Sequence, residues 1–392
     1  MRGGLLTVFR KEVIDNLRDK RTLMSALFFG PMFGPVFFAI VMSLTLKLAI
    51  TDSEKPLSLA VIGAQHAPNL VSHLRQNNVE PKSADSARSA EELVRSGEEP
   101  LVLVIPDDFG ASFTSGRPAL IQLVTDKSDR EAGKDLNRAK GVLDSYTQRL
   151  ALLRLQARGV SPAVALPILV RDVDVSTPSA RSVLILGMVT YFLFFATLMG
   201  GLYLAIDSTA GERERGSLEP LLTLPISRAQ LLGGKFAATG AFMVLSLLLT
   251  LVAFSFSLNF IPLEEVDMSA NFGPTVVATA FLIVLPFVVF GAALLTLVAS
   301  FTRSYKEAQS YLSFVLLVPT LPIVFAGLYA LQPTGPLMLV PSLSQHLLIT
   351  ELMKGEPLNL GHAFISVLST LGLGAVMALA AARLYGRESI LG

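Results

Sequence analysis

The chain has 392 residues, 52% of them hydrophobic and 16% charged, with a net charge of +1, no Cys and no Trp. Soluble domains average about 25% charged residues, so this is the composition of a membrane protein. A net charge this small argues against nucleic acid as a partner, and the absence of cysteine excludes disulfides, thiolate metal sites and cysteine nucleophiles.

Residues 1–21 place Leu6, Phe9, Val13 and Leu17 at helical spacing, with Arg10, Lys11, Asp15 and Arg18 on other faces. This pattern predicts a cytoplasmic amphipathic helix lying at the membrane interface, or alternatively packed on a partner. The apolar run 22–48 is the first predicted transmembrane helix. It exceeds the ~7–15 residues of a signal-peptide core, and no convincing small-residue cleavage site follows. Residues 50–180 read as a separate α/β domain. Short strand patterns at 57–62, 101–105, 120–124 and 168–175 alternate with helical patterns at 66–77, 88–96 and 131–158. No phosphate loop or catalytic grouping follows any strand. His66 and His73 fall on one face of a predicted helix but lack a third ligand, so no metal site is expected.

Five further apolar runs, 182–206, 236–260, 275–300, 311–331 and 363–385, complete an expected set of about six transmembrane helices. The fold class is therefore an α-helical polytopic membrane protein, with an extracytoplasmic α/β domain inserted between the first and second spans. Basic residues fix the expected orientation. Arg2, Arg10, Lys11, Arg18, Lys20 and Arg21 precede the first span, and Arg213, Arg215, Arg228 and Lys235 separate the second from the third. Arg303 and Lys306 lie between the fourth and fifth, and Arg383 and Arg387 close the sixth. The opposite loops carry Glu264, Glu265 and Asp267, or Lys354 as their sole basic residue. By the positive-inside rule both termini are cytoplasmic and 50–180 and the 332–362 loop lie outside; a bacterial inner (plasma) membrane is the default location.

The segment 207–235 is the most distinctive. From Gly211 it reads Gly-Glu-Arg-Glu-Arg-Gly-Ser-Leu-Glu-Pro-Leu-Leu-Thr-Leu-Pro-Ile-Ser-Arg, a charged, proline-punctuated insert between two membrane helices. Ser217 is a candidate cap for a short helix with Glu219 and Pro220 in its first turn, and Pro225 disfavours helical geometry at Leu224. Ser227 and Gln230 form a capping-box pattern that starts the next helix. The expected product is a short helix across the cytoplasmic mouth with Leu218, Leu221 and Leu222 available to pack on a soluble partner. An ordinary interfacial loop is the alternative.

Within the spans charge is nearly absent, and Lys47 and Asp207 sit at span ends. Oxygen ligands for a hard cation remain at Thr190, Tyr191, Thr197, Tyr203, Ser255, Ser257, Asn259 and Thr320. The competing reading is that these groups bond to helix carbonyls or across helix contacts. His346 and His362 fall in the last external loop with no partner indicated.

Four stretches carry a resemblance to the permeases of the ABC type-2 exporter family, close to its sodium-efflux (NatB-like) branch. They are Lys11-Glu12 with Leu17-Arg-Asp-Lys-Arg-Thr-Leu23, the 211–228 segment followed by Gly234-Lys235, Tyr305-Lys-Glu-Ala-Gln-Ser310, and Val340-Pro-Ser-Leu-Ser-Gln-His-Leu-Leu348. The resemblance extends over nearly the whole length; Ser217 departs from the more usual Thr but keeps the capping chemistry. It implies a half-transporter in which two copies pair in the bilayer, each docked on a cytoplasmic ABC ATPase. Glu212, Arg213, Glu214, Arg215, Ser217, Leu218, Glu219, Pro220, Leu221 and Leu222 would form the docking segment, with Lys11, Glu12, Arg18 and Asp19 on the leading helix. Gly233-Gly-Lys-Phe236 lacks the spacing and final hydroxyl of a phosphate loop. The chain is therefore expected to bind no cofactor and to be no enzyme, with ATP and Mg2+ held by the partner. Sodium efflux is the implied activity. Export of a hydrophobic drug, lipid or peptide is the alternative within transport, and a non-transporting receptor that relays force from the external domain is the alternative outside it.

Overall fold

The computed structural model describes residues 3–84, 88–164, 173, 176–223 and 225–385. The strand pattern at 168–175 and the helix-breaking geometry at Leu224 lie outside the described residues. In chain order the elements begin with α1 (Gly3–Arg18) and α2 (Lys20–Met24), then a π-helical stretch, Ser25–Phe33, around Pro31. There follow α3 (Gly34–Glu54), β1 (Leu57–Ile62), α4 (Pro68–Gln76), β2 (Val79–Ser83), α5 (Ala90–Arg95), β3 (Leu101–Val104), α6 (Phe109–Thr114), β4 (Gln122–Thr125) and α7 (Arg130–Ala157). The second half contains α8 (Pro178–Arg181), α9 (Val183–Ile206), α10 (Glu212–Glu214), α11 (Leu218–Leu222), α12 (Arg228–Ser257) and α13 (Pro274–Phe301). It ends with α14 (Tyr305–Val315), α15 (Thr320–Leu328), α16 (Leu343–Lys354) and α17 (Leu360–Tyr385).

The chain divides into a helical unit, Met1–Leu48 with Val175–Gly392, and a second unit, Ala49–Asp174. In the second unit four strands run in the order β2-β1-β3-β4. β1 pairs in parallel with β2 and β3, and β4 closes the edge antiparallel to β3. Successive side chains on a strand point to opposite faces. Leu57, Leu59 and Val61, with Leu101, Leu103 and Ile105, accordingly face Leu70 and Leu74 of α4 and Leu136 and Leu143 of α7. Ala60 and Val102 face the other way, onto Leu93 of α5. A sheet covered on both faces accounts for the near-continuous apolar runs of β1 and β3. Gly63 leaves β1 at φ +80°, where a Cβ would collide with the Ile105 carbonyl oxygen, so the turn requires glycine.

Among the described residues six helical stretches are long and apolar enough to cross a membrane: Ala26–Thr51, Gly187–Glu214, Arg228–Phe260, Pro274–Phe301, Tyr305–Leu328 and Leu360–Leu384. The second of these is the centre. Its apolar window is 72% buried inside the chain, against 17% for the sixth and 28% for the fifth, so the outer spans turn their side chains to lipid or to another chain. Small residues make that centre possible. A Cβ on Gly200 would stand 2.5 Å from Ser246 Cβ, and one on Gly201 2.7 Å from Met243 Cγ. This brings α9 against α12 closely enough for Ser246 Oγ to donate to the Ala196 carbonyl at 2.7 Å.

Two features differ from the sequence reading. The fifth span is two helices, α14 and α15, because Pro319 cannot continue the backbone ladder of the turn before it. The 332–362 loop contains a buried helix, α16, whose polar groups join it to its neighbours. Gln345 Nε2 donates to Thr370 Oγ1 at 2.8 Å, and Ser366 Oγ donates to Ser344 Oγ at 2.8 Å. A helix with polar residues on its buried side carries no clear amphipathic signature, so hydropathy leaves it indistinguishable from a loop.

Gly201→Leu should force α9 away from Met243 and Thr239 and lower the stability of the helical unit by about 1–3 kcal/mol, read as a lower melting temperature of the purified protein.

Candidate functional site

The helix of the second span does not stop at the expected membrane edge. It continues from Ile206 through a wider π-helical turn, Asp207–Gly211, into α10. Ser208, Thr209, Ala210, Gly211 and Glu212 are all buried there. Much of the polar insert is therefore enclosed by its own chain.

Glu212 is the centre of that enclosure. Lys235 of α12 donates from Nζ both to Glu212 Oε2 and to the Ser208 carbonyl. Lys11 of α1 donates to Glu212 Oε1 at 3.0 Å and to Glu12 Oε1 at 3.0 Å. Two lysines thus face two glutamates, and the formal charges cancel. Lys235, Glu12 and Glu212 are only 1%, 3% and 4% exposed. Burial pushes the Glu12 carboxyl up, with Glu212 adding to the rise and Lys235 and Lys11 opposing it. Burial disfavours the Lys11 ammonium, yet Glu12 and Glu212 outweigh this and hold its pKa above the usual lysine value. Asn16 Nδ2 donates to the Glu12 carbonyl at 2.9 Å on the same buried face.

Glycines bring α1 to this position. A Cβ on Gly234 would meet Val8 Cβ at 2.6 Å, and one on Gly233 would meet Leu5 Cδ1 at 3.2 Å. The leading helix therefore packs on the start of α12. That start is fixed by a reciprocal capping box, with Gln230 N donating to Ser227 Oγ and Ser227 N to Gln230 Oε1, each at 3.2 Å.

The neighbours of Glu212 reach the other spans. Arg213 Nη1 donates to the Thr302 carbonyl at 2.6 Å and Nη2 to the Ser300 carbonyl at 3.2 Å, a cation placed at the carbonyl end of α13. Glu214 Oε2 accepts from the Tyr305 backbone N–H at 2.6 Å, an anion at the amide end of α14. Arg215 pairs with Asp207 at 2.8 Å, and that hydrogen bond, with the charges of Asp207, Glu212 and Glu214, outweighs burial and raises its already high pKa. Ser217 Oγ donates to the Glu212 carbonyl at 3.2 Å and makes no capping bond to α11, contrary to the expected cap. Leu218 is turned inward onto Leu232 and Ala381, so it is not available on the surface. Pro220 is exposed and Leu221 half-buried, while the side chains of Glu219 and Leu222 lie outside those described. Arg18 and Asp19 are exposed at the end of the leading helix.

The eight candidate pathway positions do not gather in one place. Thr197 Oγ1 donates to the Leu193 carbonyl at 2.6 Å and Asn259 Nδ2 to the Ser255 carbonyl at 3.0 Å, each one turn back along the same span, and Thr320 Oγ1 donates at 3.5 Å to the Leu316 carbonyl in the turn between α14 and α15. Tyr203 is half-buried and Ser257 buried. Ser255 and Asn259 line a polar cavity of ≈ 660 Å³ with Glu264, Glu265, Ser269 and Asn271. Tyr191 and Thr320 line a mostly apolar cavity of ≈ 470 Å³ with Ile323, Leu347, Thr350 and Lys354. His346 also lines that cavity, and its Nδ1 stands 2.6 Å from Thr190 Oγ1. The histidine without an indicated partner is thus bonded to a candidate pathway residue. Burial lowers its pKa to about 4.

Sequence reasoning treats Lys235 as one of several interfacial cations, and the cluster around it went unread. The available signal was Lys235 inside a long apolar helix, with no carboxylate three or four residues away and two glycines just before it.

Residues 24–383 match the ABC-2 family transporter protein family. The chain belongs to that family. The ABC transporter permease protein NatB of Bacillus subtilis (strain 168) is 27% identical over 383 residues, covering 94% of each chain. An ABC-2 permease is the multi-pass membrane subunit that works with an ATPase and is not itself the ATPase. The family match begins after α1, so Lys11 reaches Glu212, and brings Glu12 with it, from outside the matched residues.

In this permease Lys235→Met should cost about 3–5 kcal/mol of stability, because it leaves buried carboxylates short of one cation. Adding Glu212→Gln should recover part of the loss, as measured by a double-mutant cycle on thermal unfolding. The His346 pKa falls from an ordinary 6.5 to about 4 on folding, so the native state resists protonation. Its contribution is fully present above pH 6.5 and is lost as pH falls toward 4. The stability difference between wild type and His346→Gln should therefore be flat above pH 6.5 and shrink steadily below it.

Proposed function

We propose that this ABC-2 permease works as a homodimer in a bacterial inner (plasma) membrane, with both termini and the polar insert cytoplasmic and each copy docked on an ABC ATPase that holds ATP and Mg2+. The supporting observation is Glu212. It joins α1 to α12 through Lys11 and Lys235, while the adjoining Arg213 and Glu214 reach the end of α13 and the start of α14. A force applied to the outer side of the insert, at Arg215, Pro220 and Leu221, is thereby delivered to the second, third, fourth and fifth spans together. Interfaces built on such paired buried groups switch between arrangements rather than deforming smoothly.

Na+ is the proposed transported species. The likeness of the 211–228 segment to the sodium-efflux branch supports it. So does the polar cavity in which Ser255 and Asn259 stand with Glu264 and Glu265, since hydroxyl, amide and carboxylate oxygens suit a hard cation. A second reading, export of a hydrophobic compound, is favoured by the apolar cavity between Tyr191 and Ile323.

Co-reconstitution with the cognate ATPase in inside-out proteoliposomes tests the first reading: radiolabelled Na+ should accumulate with ATP and should not with a hydrolysis-dead partner. Robust ATP hydrolysis without Na+ uptake would reject sodium, and stimulation of that hydrolysis by hydrophobic compounds would then select the second. Leu221→Asp should weaken co-purification of the ATPase by at least roughly fivefold while the permease stays folded, if Leu221 enters an apolar pocket of the partner at a cost of about 1–3 kcal/mol. Leu218→Asp, by contrast, should destabilise the permease itself.

A further inference from the structure

The inserted α/β domain carries a groove that neither the family nor the charge cluster accounts for. It lies between α6, the segment leading to β4, and the C-terminal half of α7, over Leu70 of α4. Its volume is ≈ 390 Å³, within the ~300–1,000 Å³ typical of small-ligand sites. Phe109 and Phe113, stacked at 5.9 Å, form one wall, and Leu143, Tyr146 and Leu150 form the other.

Charge is confined to one end. Arg117 and Arg154 line the groove, and Arg158 reaches over Gly116, another lining residue, with Nη2 3.4 Å from where a Cβ would stand. Arg154 is held in place: its Nη2 donates to the Phe113 carbonyl at 2.9 Å and its guanidinium lies 4.6 Å from the Phe113 ring centroid. The Arg117 side chain is anchored only by Nε donating to Ser115 Oγ at 3.2 Å. No carboxylate lines the groove, and among the described residues none of the three arginines forms an ion pair. Three guanidinium groups at the end of an apolar trough leave positive charge uncompensated beside a surface that favours hydrocarbon.

We propose that this groove binds a single-chain amphiphile with an anionic head, its apolar chain lying between Phe113 and Leu150 and its carboxylate or equivalent anion meeting Arg117, Arg154 and Arg158. The site lies within the inserted domain and is independent of the species that crosses the membrane.

Radiolabelled decanoate is the probe, equilibrated with the full-length protein in lipid nanodiscs, with binding to empty nanodiscs subtracted. The expected result is saturable binding of about one decanoate per chain. The double variant Arg117→Ala/Arg158→Ala, which alters two exposed side chains, should weaken it at least tenfold. Ala151→Trp, entering from the exposed face of α7, should fill the groove and abolish it. Decyltrimethylammonium, of equal chain length and opposite charge, should not compete. Absence of saturable binding, binding that survives Ala151→Trp or the double arginine variant, or equal competition by the cationic analogue would overturn the proposal.

Discussion

A lysine with 1% exposure inside a membrane helix is tolerable only if its charge is met where it stands, and the packing of α1 and the 207–212 turn against the start of α12 is organised around that requirement. Lys235 is met by Glu212 and by the Ser208 carbonyl, which is accessible because the helix of the second span widens at Asp207–Gly211. Glu212 in turn accepts Lys11, and Lys11 brings Glu12. Each member is acceptable only in the presence of the others. Three segments far apart in the chain are consequently held to one geometry more strictly than apolar packing would hold them.

The same geometry separates the insert into an inner and an outer part. Glu212 and Leu218 are enclosed, Arg213 and Glu214 satisfy the ends of α13 and α14, and Arg215, Pro220 and Leu221 remain toward the surface. A partner touching the outer part acts on residues covalently continuous with the inner one. The charges that give the segment its aqueous look in the sequence are in large measure internal fasteners. This is why composition alone overstated how much of it is presented outward.

The membrane architecture was legible because it rests on length and apolarity. Twenty or so apolar residues have few alternatives to a spanning helix, and the strand patterns of the inserted domain follow the two-residue period of a pleated sheet. Ser227 and Gln230 were legible for a similar reason, since a capping box is a contact between residues three apart. Ser217 carried the same local signal but turned to the Glu212 carbonyl, a contact created by the tight turn through Gly216 at φ +68°. Helix α16 was hidden because Ser344 and Gln345 face inward to α17, inverting the usual pattern.

By itself, then, the sequence determined the class of the molecule, the number of membrane helices, the inserted α/β domain and the capping box that starts α12. These follow from local composition and short-range spacing, which act before the chain is folded. Only the tertiary structure decided that Lys11, Glu12, Glu212 and Lys235 form one buried cluster, that His346 meets Thr190, and that three arginines crown an apolar groove. Those pairings join residues up to about two hundred positions apart. Their energetics depend on desolvation and on glycine-permitted helix contacts, quantities that no window of neighbouring residues contains.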